Sequence, residues 1–416
     1  MSEFLSVELP GRVALVHEWF TPRSVGGSEQ VVMAIDQYLR SKSCRVDFAS
    51  LVDGESIRKN SWLHGRSIQT SFIQGLPWGT EYVQQYLPLL PFAIEQIDLS
   101  EFPLVISSNH LVAKGVLLSP EQFHLSYVHT PVRYAWDQMN TYLNSSSLKK
   151  LGLEPFIRWQ LHSLRQWDQL TAKRVDCLVA NSRFTAQRIS KYWGRQSAVV
   201  HPPVSVERFK CNKDRDEYYV CLCRLVPNKR VDLVVHAFNN LKLPLLVIGE
   251  GSQKKFLKKI AGPTVKILGY QEKRKVEDLL ERCRAYVYAG VEDFGIAPVE
   301  AMAAGAPVIA LAKGGLLDTV CCASTDISSA TGVLFSDQKV QSLVQAIEWF
   351  EEKQLWKKLD PVYLNSWALR FSHKAFKQRF EKVLTKAWSL HEESRLLAKS
   401  NPASFINSAL SDKKEP

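Results

Sequence analysis

EDFGIAPVEAMAAGAPVIA, residues 292–310, decides how this chain folds. Pro298 suits the first position of a helix, because its ring presets φ and its missing N–H would go unpaired there anyway. That leaves Glu292 on the preceding loop and puts Glu300 in the first helical turn. Two carboxylates eight positions apart thus flank a run of backbone amides and a helix N-terminus. Acidic side chains there suit hydroxyl groups, while the amides and the helix dipole suit an anion. The plainer reading is that both acids only cap the helix. An apolar run, 307–311, follows at once, so the stretch reads as loop, helix and buried strand.

The same alternation extends in both directions. Toward the C-terminal half, 218–223, 244–249, 265–268, 285–288 and 307–311 read as five buried strands separated by helical patterns. Toward the N-terminus, 12–16 (RVALV) ends before a loop, and 28–40 carries Val31, Val32, Ile35 and Leu39 at helical spacing with Ser28 as N-cap. Further apolar runs lie at 103–107, 124–128, 177–180 and 198–200. Strands separated by helices predict parallel βαβ units, so the fold class is α/β. The polar gap 207–217 (ERFKCNKDRDE) reads as a linker between two such sheets. After Thr325 the pattern turns mostly helical, clearest at 339–352 and 373–391, and 399–416 reads as a disordered tail.

Length and composition agree. A chain of 416 residues suits two domains of about 150–200 residues each. With 45% apolar and 23% charged residues it is neither disordered nor fibrous. The longest near-apolar runs, 87–94 and 301–312, fall short of the roughly 18–20 residues of a membrane span. The opening residues show no signal-peptide pattern. None of the eight cysteines forms a Cys-x-x-Cys pair, and Cys221 and Cys223 alternate as on one face of a strand. Buried, reduced thiols in a cytoplasmic protein are the expectation.

The formal charge of +11 is uneven: 144–195 holds ten Lys or Arg, Lys149 and Lys150 among them, against three acids. It reads either as a solvated helical face or as attraction to an anionic membrane surface or a phosphorylated substrate. Within it, Trp159, Leu161, Leu164 and Trp167 interleave with Arg158 and Arg165, which suits either a membrane interface or the domain core. Nucleic acid is not an expected partner, because no DNA- or RNA-binding pattern accompanies the charge.

Three more constellations carry chemistry. Gly26-Gly27-Ser28 leads into a helix, where glycines let backbone amides approach a ligand, although a tight turn would look the same. The G-x-G-x-x-G dinucleotide fingerprint is absent, against a dehydrogenase. Cys223–Arg230 (CRLVPNKR) follows the first strand of the second half, and ligands of open α/β sheets bind at such strand ends. Arg224 and Lys229 there could hold a diphosphate, or form a surface basic patch. His129, in YVHTPVRYAWD (127–137), follows a buried strand and is either structural or a site residue.

Taken together, these residues resemble the retaining glycosyltransferases of family four over about 12–391. The motifs that carry the resemblance are the E-x7-E element of Glu292 and Glu300, VPNKRVDLVVHAFNNL (226–241), VIGEGSQ (247–253), NSRFTAQRI (181–189) and HPPV (201–204). YVHTPVRYAWD looks like the branch with bacterial O-antigen mannosyltransferases. The resemblance implies the GT-B fold, two facing Rossmann-like domains with a deep cleft between them. The domains would be 1–207 for the acceptor, completed by helix 373–391, and 208–372 for the nucleotide-sugar donor. It also implies residue roles. Gly26 and Gly27 would bring amides to the donor phosphates, and Arg224 and Lys229 would neutralise the diphosphate in place of a metal. Glu300 would hold the ribose, and Glu292 with the amides of Phe294, Gly295 and Ile296 the sugar hydroxyls. Gly249, Gly251 and the Gly269-Tyr270 segment would line the base, and His129 would meet the reacting sugar. Where relatives often carry a glutamate after the Gly-Gly of the last loop, this chain has Asp318 after Gly314-Gly315.

The function so implied is hexosyl transfer with retention, best matched by mannosyl from GDP-mannose, to a glycan or lipid-linked acceptor in cell-surface polysaccharide or glycolipid synthesis. No metal or other cofactor is expected. The location would be cytoplasmic, with peripheral association at the inner membrane face. The competing readings are a nucleotide-sugar epimerase and a non-catalytic sugar-binding protein on the same scaffold.

Overall fold

The computed structural model describes residues 8–22, 26–140, 143 and 154–400. Lys149, Lys150 and 401–416 lie outside them. The chain divides into two compact units. One comprises the residues up to Ala180, Ala186–Val200 and the chain from Lys377; the other comprises Asn181–Thr185 and His201–Phe376.

The first unit is built on a seven-stranded parallel sheet. Its strands are β1 (Arg12–His17), β2 (Arg45–Ser50), β3 (Ile68–Thr70), β4 (Leu104–Asn109), β5 (Phe123–Val128), β6 (Cys177–Ala180) and β7 (Ala198–Val199), in the order β3-β2-β1-β4-β5-β6-β7. Central strands such as β4 and β5 are buried along their whole length, as parallel strands covered on both faces must be. Order reverses between β1 and β4, and in a sheet of this kind ligands bind at the strand C-termini beside such a reversal. The last helix, His373–Ser400, runs into residues read as tail, and within this unit it buries Phe380, Leu384 and Trp388. Phe380 packs edge-on against Tyr38 at 5.8 Å and Trp388 against Phe123 at 6.0 Å.

The second unit holds a six-stranded parallel sheet: β8 (Tyr219–Leu222), β9 (Leu245–Ile248), β10 (Val265–Gly269), β11 (Tyr286–Tyr288), β12 (Val308–Leu311) and β13 (Gly332–Phe335), in the order β10-β9-β8-β11-β12-β13. The α/β expectation holds in both units, but five strands in the second half were one too few. β13 lies in the part read as mostly helical, because its four residues follow polar turns that hide the period. In the first unit β2 and β3 had no counterpart among the apolar runs. The first interrupts its pattern with Asp47, and the second has only three residues.

The segment 207–217 is not a free linker. Arg215 donates to the carbonyls of Glu281 (3.1 Å) and Ala304 (2.9 Å), at the C-terminal ends of helices Lys273–Arg282 and Ile296–Ala303. A guanidinium suits that place, where helix carbonyls lack partners and the dipole is negative. The segment is therefore an integral part of the second unit, whose long continuous stretch begins at His201.

Candidate active site

In the second unit, the loops leaving β8, β9 and β10 lie against each other. Gly249 has φ +138 and Gly251 φ +156; a Cβ on either would come within 1.9 Å of Cys223 O or 2.3 Å of Leu225 O. Only glycine permits this approach. The Leu225 N–H donates to Glu250 O, the Gln253 N–H to Leu225 O and the Gly249 N–H to Gly269 O, each at 2.9 Å. The joined loops carry Arg224, which is exposed and whose guanidinium has no partner among the described residues. Tyr270 is 73% exposed, and its N–H donates to Glu250 Oε1 at 3.0 Å. Lys254 and that N–H hold the Glu250 carboxyl below its usual range.

Lys229 ends the 3-10 turn Pro227–Lys229, just before Arg230 at φ +51. Its Nζ lies 2.5 Å from Glu292 Oε1, and the Tyr288 hydroxyl donates to the same oxygen at 2.5 Å. Burial, and then the Glu292 carboxylate, push the Tyr288 phenol far above its ordinary value, so it keeps its hydrogen. The sequence reading sent Lys229 to the diphosphate and Glu292 to the sugar; the structure brings the two together. Tyr288 was missed, although a tyrosine ending a buried strand four residues before a site acid is a readable signal.

The helix after Glu292 spans Ile296–Ala303, so Pro298 is its third residue and not its first. Gly295, at φ +95, makes the turn that starts it earlier. Among the described residues, the N–H groups of Phe294, Gly295 and Ile296 find no acceptor. The Phe294 ring is 3% exposed and packs 5.5 Å from both His201 and Phe371, so this residue offers the site an amide and not a ring. Gly314 and Gly315 brace the loop from behind. A Cβ on them would meet Glu292 O at 2.3 Å and Asp293 O at 2.2 Å, and the Gly315 N–H donates to Glu292 O at 2.8 Å.

Glu300 is set by an arginine from the segment read as linker. Arg208 donates to Glu300 Oε1 at 2.6 Å and to Glu277 Oε1 at 2.9 Å. Burial pushes the Glu300 carboxyl up, and Arg208 pulls the other way without cancelling it. Asp318 accepts from the Arg183 N–H and Nε, both at 2.7 Å, and pairs with His201 Nε2 at 3.0 Å. That is a bracing role. Burial raises the Asp318 carboxyl, but these partners outweigh it and hold the group below its usual range.

In the first unit the candidate residues gather at the C-terminal ends of β1, β4 and β5. His129 Nε2 lies 2.8 Å from Ser108 Oγ, and that oxygen lies 3.2 Å from His17 Nδ1. Burial, then the neighbouring His110 and His17, push the His129 imidazole well below its usual value. Glu18, absent from the sequence reading, is fully buried; its carboxylate accepts the N–H groups of His110, Leu111, Val112 and Ala113 at 2.7–3.1 Å. It thereby fixes the turn after β4.

Gly26 precedes helix Gly27–Ser41, whose approach 23–25 is outside the described residues. The Gly26 N–H, expected to face phosphate, donates to Glu29 Oε2 at 2.9 Å. The carboxylate at the third helical position reaches back to the cap, so Gly26 has an internal acceptor. Burial raises the Glu29 carboxyl, but the His17 imidazole beside it, with backbone and Ser28 donors, outweighs this and holds it at about 2. Among the described residues no group of three or more His, Cys, Asp or Glu is placed to hold a metal ion. Among them, too, no helix is long and apolar enough to cross a membrane.

Similarity to known proteins bears on the family and the fold. The model of Glycosyltransferase Family 4 matches residues 25–208, and that of Glycosyl transferases group 1 matches 205–362. A GDP-mannose-dependent alpha-(1-6)-phosphatidylinositol monomannoside mannosyltransferase of Mycolicibacterium smegmatis is 27% identical over 42% of this chain. The match spans about half of that relative, 52% of its length. The alpha-1,3/1,6-mannosyltransferase ALG2 of Homo sapiens is 25% identical over 87% of this chain and 93% of its own. Among solved structures, Anabaena HepE in complex with UDP superposes with a TM-score of 0.65 at 16% identity, over 90% of this chain and 100% of its own. Sucrose-phosphate synthase from Thermosynechococcus elongatus gives 0.68 at 17% identity, over 92% and 100%. Two matched family models that together run from 25 to 362, on two parallel-sheet Rossmann-like units, place the chain among the family 4 glycosyltransferases of GT-B fold.

Proposed function

We propose that the chain transfers a mannosyl group from GDP-mannose to a lipid-linked acceptor with retention of the anomeric configuration. The observation that carries this reading is the loop at Glu292–Ile296. Three amides without acceptors stand at a helix N-terminus, beside a lysine and a carboxylate in contact. Such a place suits a sugar diphosphate, with hydroxyls toward the carboxylate and phosphate oxygens toward amides and cations. Arg224, exposed and without a partner among the described residues, adds the second cation. The name of the Mycolicibacterium relative supports GDP-mannose and a lipid acceptor, and that of the ALG2 relative supports mannosyl transfer.

In the proposed reaction the bond between the anomeric carbon and the β-phosphate oxygen breaks, and the acceptor oxygen bonds that carbon from the same face. The acceptor proton passes to the departing phosphate oxygen, and GDP leaves. Negative charge grows on the diphosphate, where Arg224, Lys229 and the helix N-terminus favour it without a metal ion. Peripheral association with a membrane belongs to the same reading. A thermal-shift panel of GDP-mannose, GDP-glucose, UDP-glucose and UDP-galactose tests the donor, since a ligand at a hundred times its Kd stabilises by about 2.7 kcal/mol. Transfer to a polyprenyl or phosphatidylinositol acceptor, with the anomeric configuration of the product read by NMR, tests the rest. A shift with UDP sugars alone, or an inverted product, would overturn it.

A further inference from the structure

The fully buried side chains of His17 and Ser108 have no place in the chemistry above, yet they form a directed line to His129. His17 Nδ1 lies 3.3 Å from the Ser108 carbonyl oxygen and 3.2 Å from the Ser108 hydroxyl oxygen. A carbonyl only accepts, so Nδ1 carries a hydrogen and shares it between the two oxygens. The Ser108 hydroxyl then accepts from His17 and must turn its own hydrogen the other way, toward His129 Nε2 at 2.8 Å. His129 Nε2 is thereby an acceptor. We propose that His17 and Ser108 are positioning residues that hold His129 as the neutral tautomer with its hydrogen on Nδ1.

The surroundings agree. The groups that bear on the His129 ring are His110 and His17, which oppose a positive charge there, and Glu29, which favours one; burial outweighs them all. At the far end a carboxylate stands near His17 without a hydrogen bond to it. Glu29 Oε1 stands 3.9 Å from His17 Nε2, and Glu29 Oε2 is held by the Gly26 N–H. So the same carboxylate that caps the glycine turn faces the histidine that starts the line. The purpose follows from the reaction. A neutral imidazole with an Nδ1 hydrogen can donate to a sugar hydroxyl oxygen and brings no positive charge near an anomeric carbon that becomes cationic. This role rests on the reading of His129 as a residue that meets the sugar; the tautomer itself does not.

The test is selective 15N labelling of histidine in the full chain, with His129 assigned by its loss in His129→Gln. At pH 7.5 the wild type should show His129 Nδ1 protonated and Nε2 bare. Ser108→Ala should move the signals toward a mixture of tautomers and lower kcat about tenfold with KM little changed, while Ser108→Thr, which keeps the hydroxyl, restores both. A wild-type His129 protonated on Nε2, or a tautomer unmoved by Ser108→Ala in a folded protein, overturns the proposal. If the tautomer behaves as stated but His129→Gln leaves transfer intact, the line of hydrogen bonds stands and the reading of His129 as a sugar contact falls.

Discussion

Lys229 Nζ sits 2.5 Å from Glu292 Oε1, so the cation proposed for the diphosphate and the carboxylate proposed for the sugar form one ion pair. Both side chains are largely buried, at 13% and 21% exposure, and the pair is correspondingly better shielded than a surface contact. An ammonium has three hydrogens, so Lys229 can keep Glu292 and still donate to a phosphate. The two roles are coupled through the pair, and neither residue can be changed without disturbing the other.

From that coupling, Lys229→Ala and Glu292→Gln should be non-additive. Each single change is expected to lower kcat/KM by roughly a hundred- to a thousandfold, the usual cost of a lost contact to developing charge. The double variant should lose clearly less than the product of the two, because residues in contact share one interaction. Steady-state kinetics on the three variants decide it; strictly multiplicative losses would mean that the pair has no functional coupling. Arg224→Ala, with no partner to disturb among the described residues, should behave as an independent loss of similar size.

Glu300 separates binding from stability. Its carboxyl is raised by burial, so keeping it ionised at neutral pH contributes nothing to folding: the contribution of a raised acid is present below its unfolded value near 4.5 and lost above it. Glu300→Gln should therefore leave the melting temperature unchanged or slightly higher, with Arg208 still held by Glu277. Donor KM should rise about ten- to a hundredfold while kcat changes little, because ribose contacts exist in ground and transition states alike. A lower melting temperature with unchanged KM would contradict the assignment.

What the sequence could show and what it could not divide along physical lines. The strand-end loops were legible because they need glycine or charge where a core would not: Gly249, Gly251, Arg224, Glu292 and Glu300 all stand out against apolar runs. Glu18, His17 and Ser108 were not legible. They lie at the ends of β1 and β4, and what matters about them is a partner about ninety positions away. Arg208 was hidden differently: in a charged segment, nothing marks the one arginine that reaches a carboxylate 92 positions on. β13 and β3 escaped because four or three residues show no period.

The acid limb of the stability profile should depend on Glu29. Its carboxyl is held at about 2, against about 4.5 unfolded, so its contribution is complete above pH 4.5 and disappears as pH falls toward 2. The size is of order 3 kcal/mol, since a tenfold change in proton affinity is worth about 1.4 kcal/mol. Glu29→Gln should lower the melting temperature of the first unit at pH 6 and converge on wild type near pH 2. Asp318, also held low, acts in the same direction in the second unit. Melting curves from pH 2 to 7 give the answer; a Glu29→Gln deficit that persists undiminished at pH 2 would count against the electrostatic account.

Metal independence is expected from the same charges. Arg224 and Lys229 with the amides of Phe294–Ile296 supply what a divalent cation would supply to a leaving diphosphate. Turnover in excess EDTA should match turnover in magnesium or manganese within a factor of about two, far less than the hundredfold or more typical of a lost electrostatic contact. Rate that vanishes with EDTA and returns with either ion would overturn this.

Membrane contact is expected to run through a different surface from the basic helix. Of the interleaved residues on helix Glu154–Lys173, Leu161 and Leu164 are buried, the Trp167 Nε1 hydrogen goes to Glu95, and Arg165 reaches Ala135 O. Of the four apolar ones, Trp159 alone stays outside, 63% exposed and stacked on Phe156 at 6.0 Å. Other exposed apolar side chains lie outside that helix. Between 67 and 94 the one charged residue is Glu81, and Phe72, Trp78, Tyr82, Leu89 and Phe92 are all exposed, Trp78 at 74%. Phe72 and Phe92 bring the two ends of that stretch together, ring to ring at 5.8 Å. Aromatic rings with a single charged residue among them suit the headgroup boundary of a bilayer, and the net charge of +11 suits an anionic one. The protein should therefore cosediment with vesicles of phosphatidylglycerol and phosphatidylcholine and not with phosphatidylcholine alone. Trp78→Ser with Phe92→Ser should weaken that binding at least about tenfold, roughly 1.4 kcal/mol, with an unchanged melting temperature because neither ring is buried. Salt that shortens the Debye length well below about 10 Å should weaken it further. Vesicle binding that the double variant leaves intact would return the membrane role to the basic helices and leave the 67–94 surface for the acceptor itself.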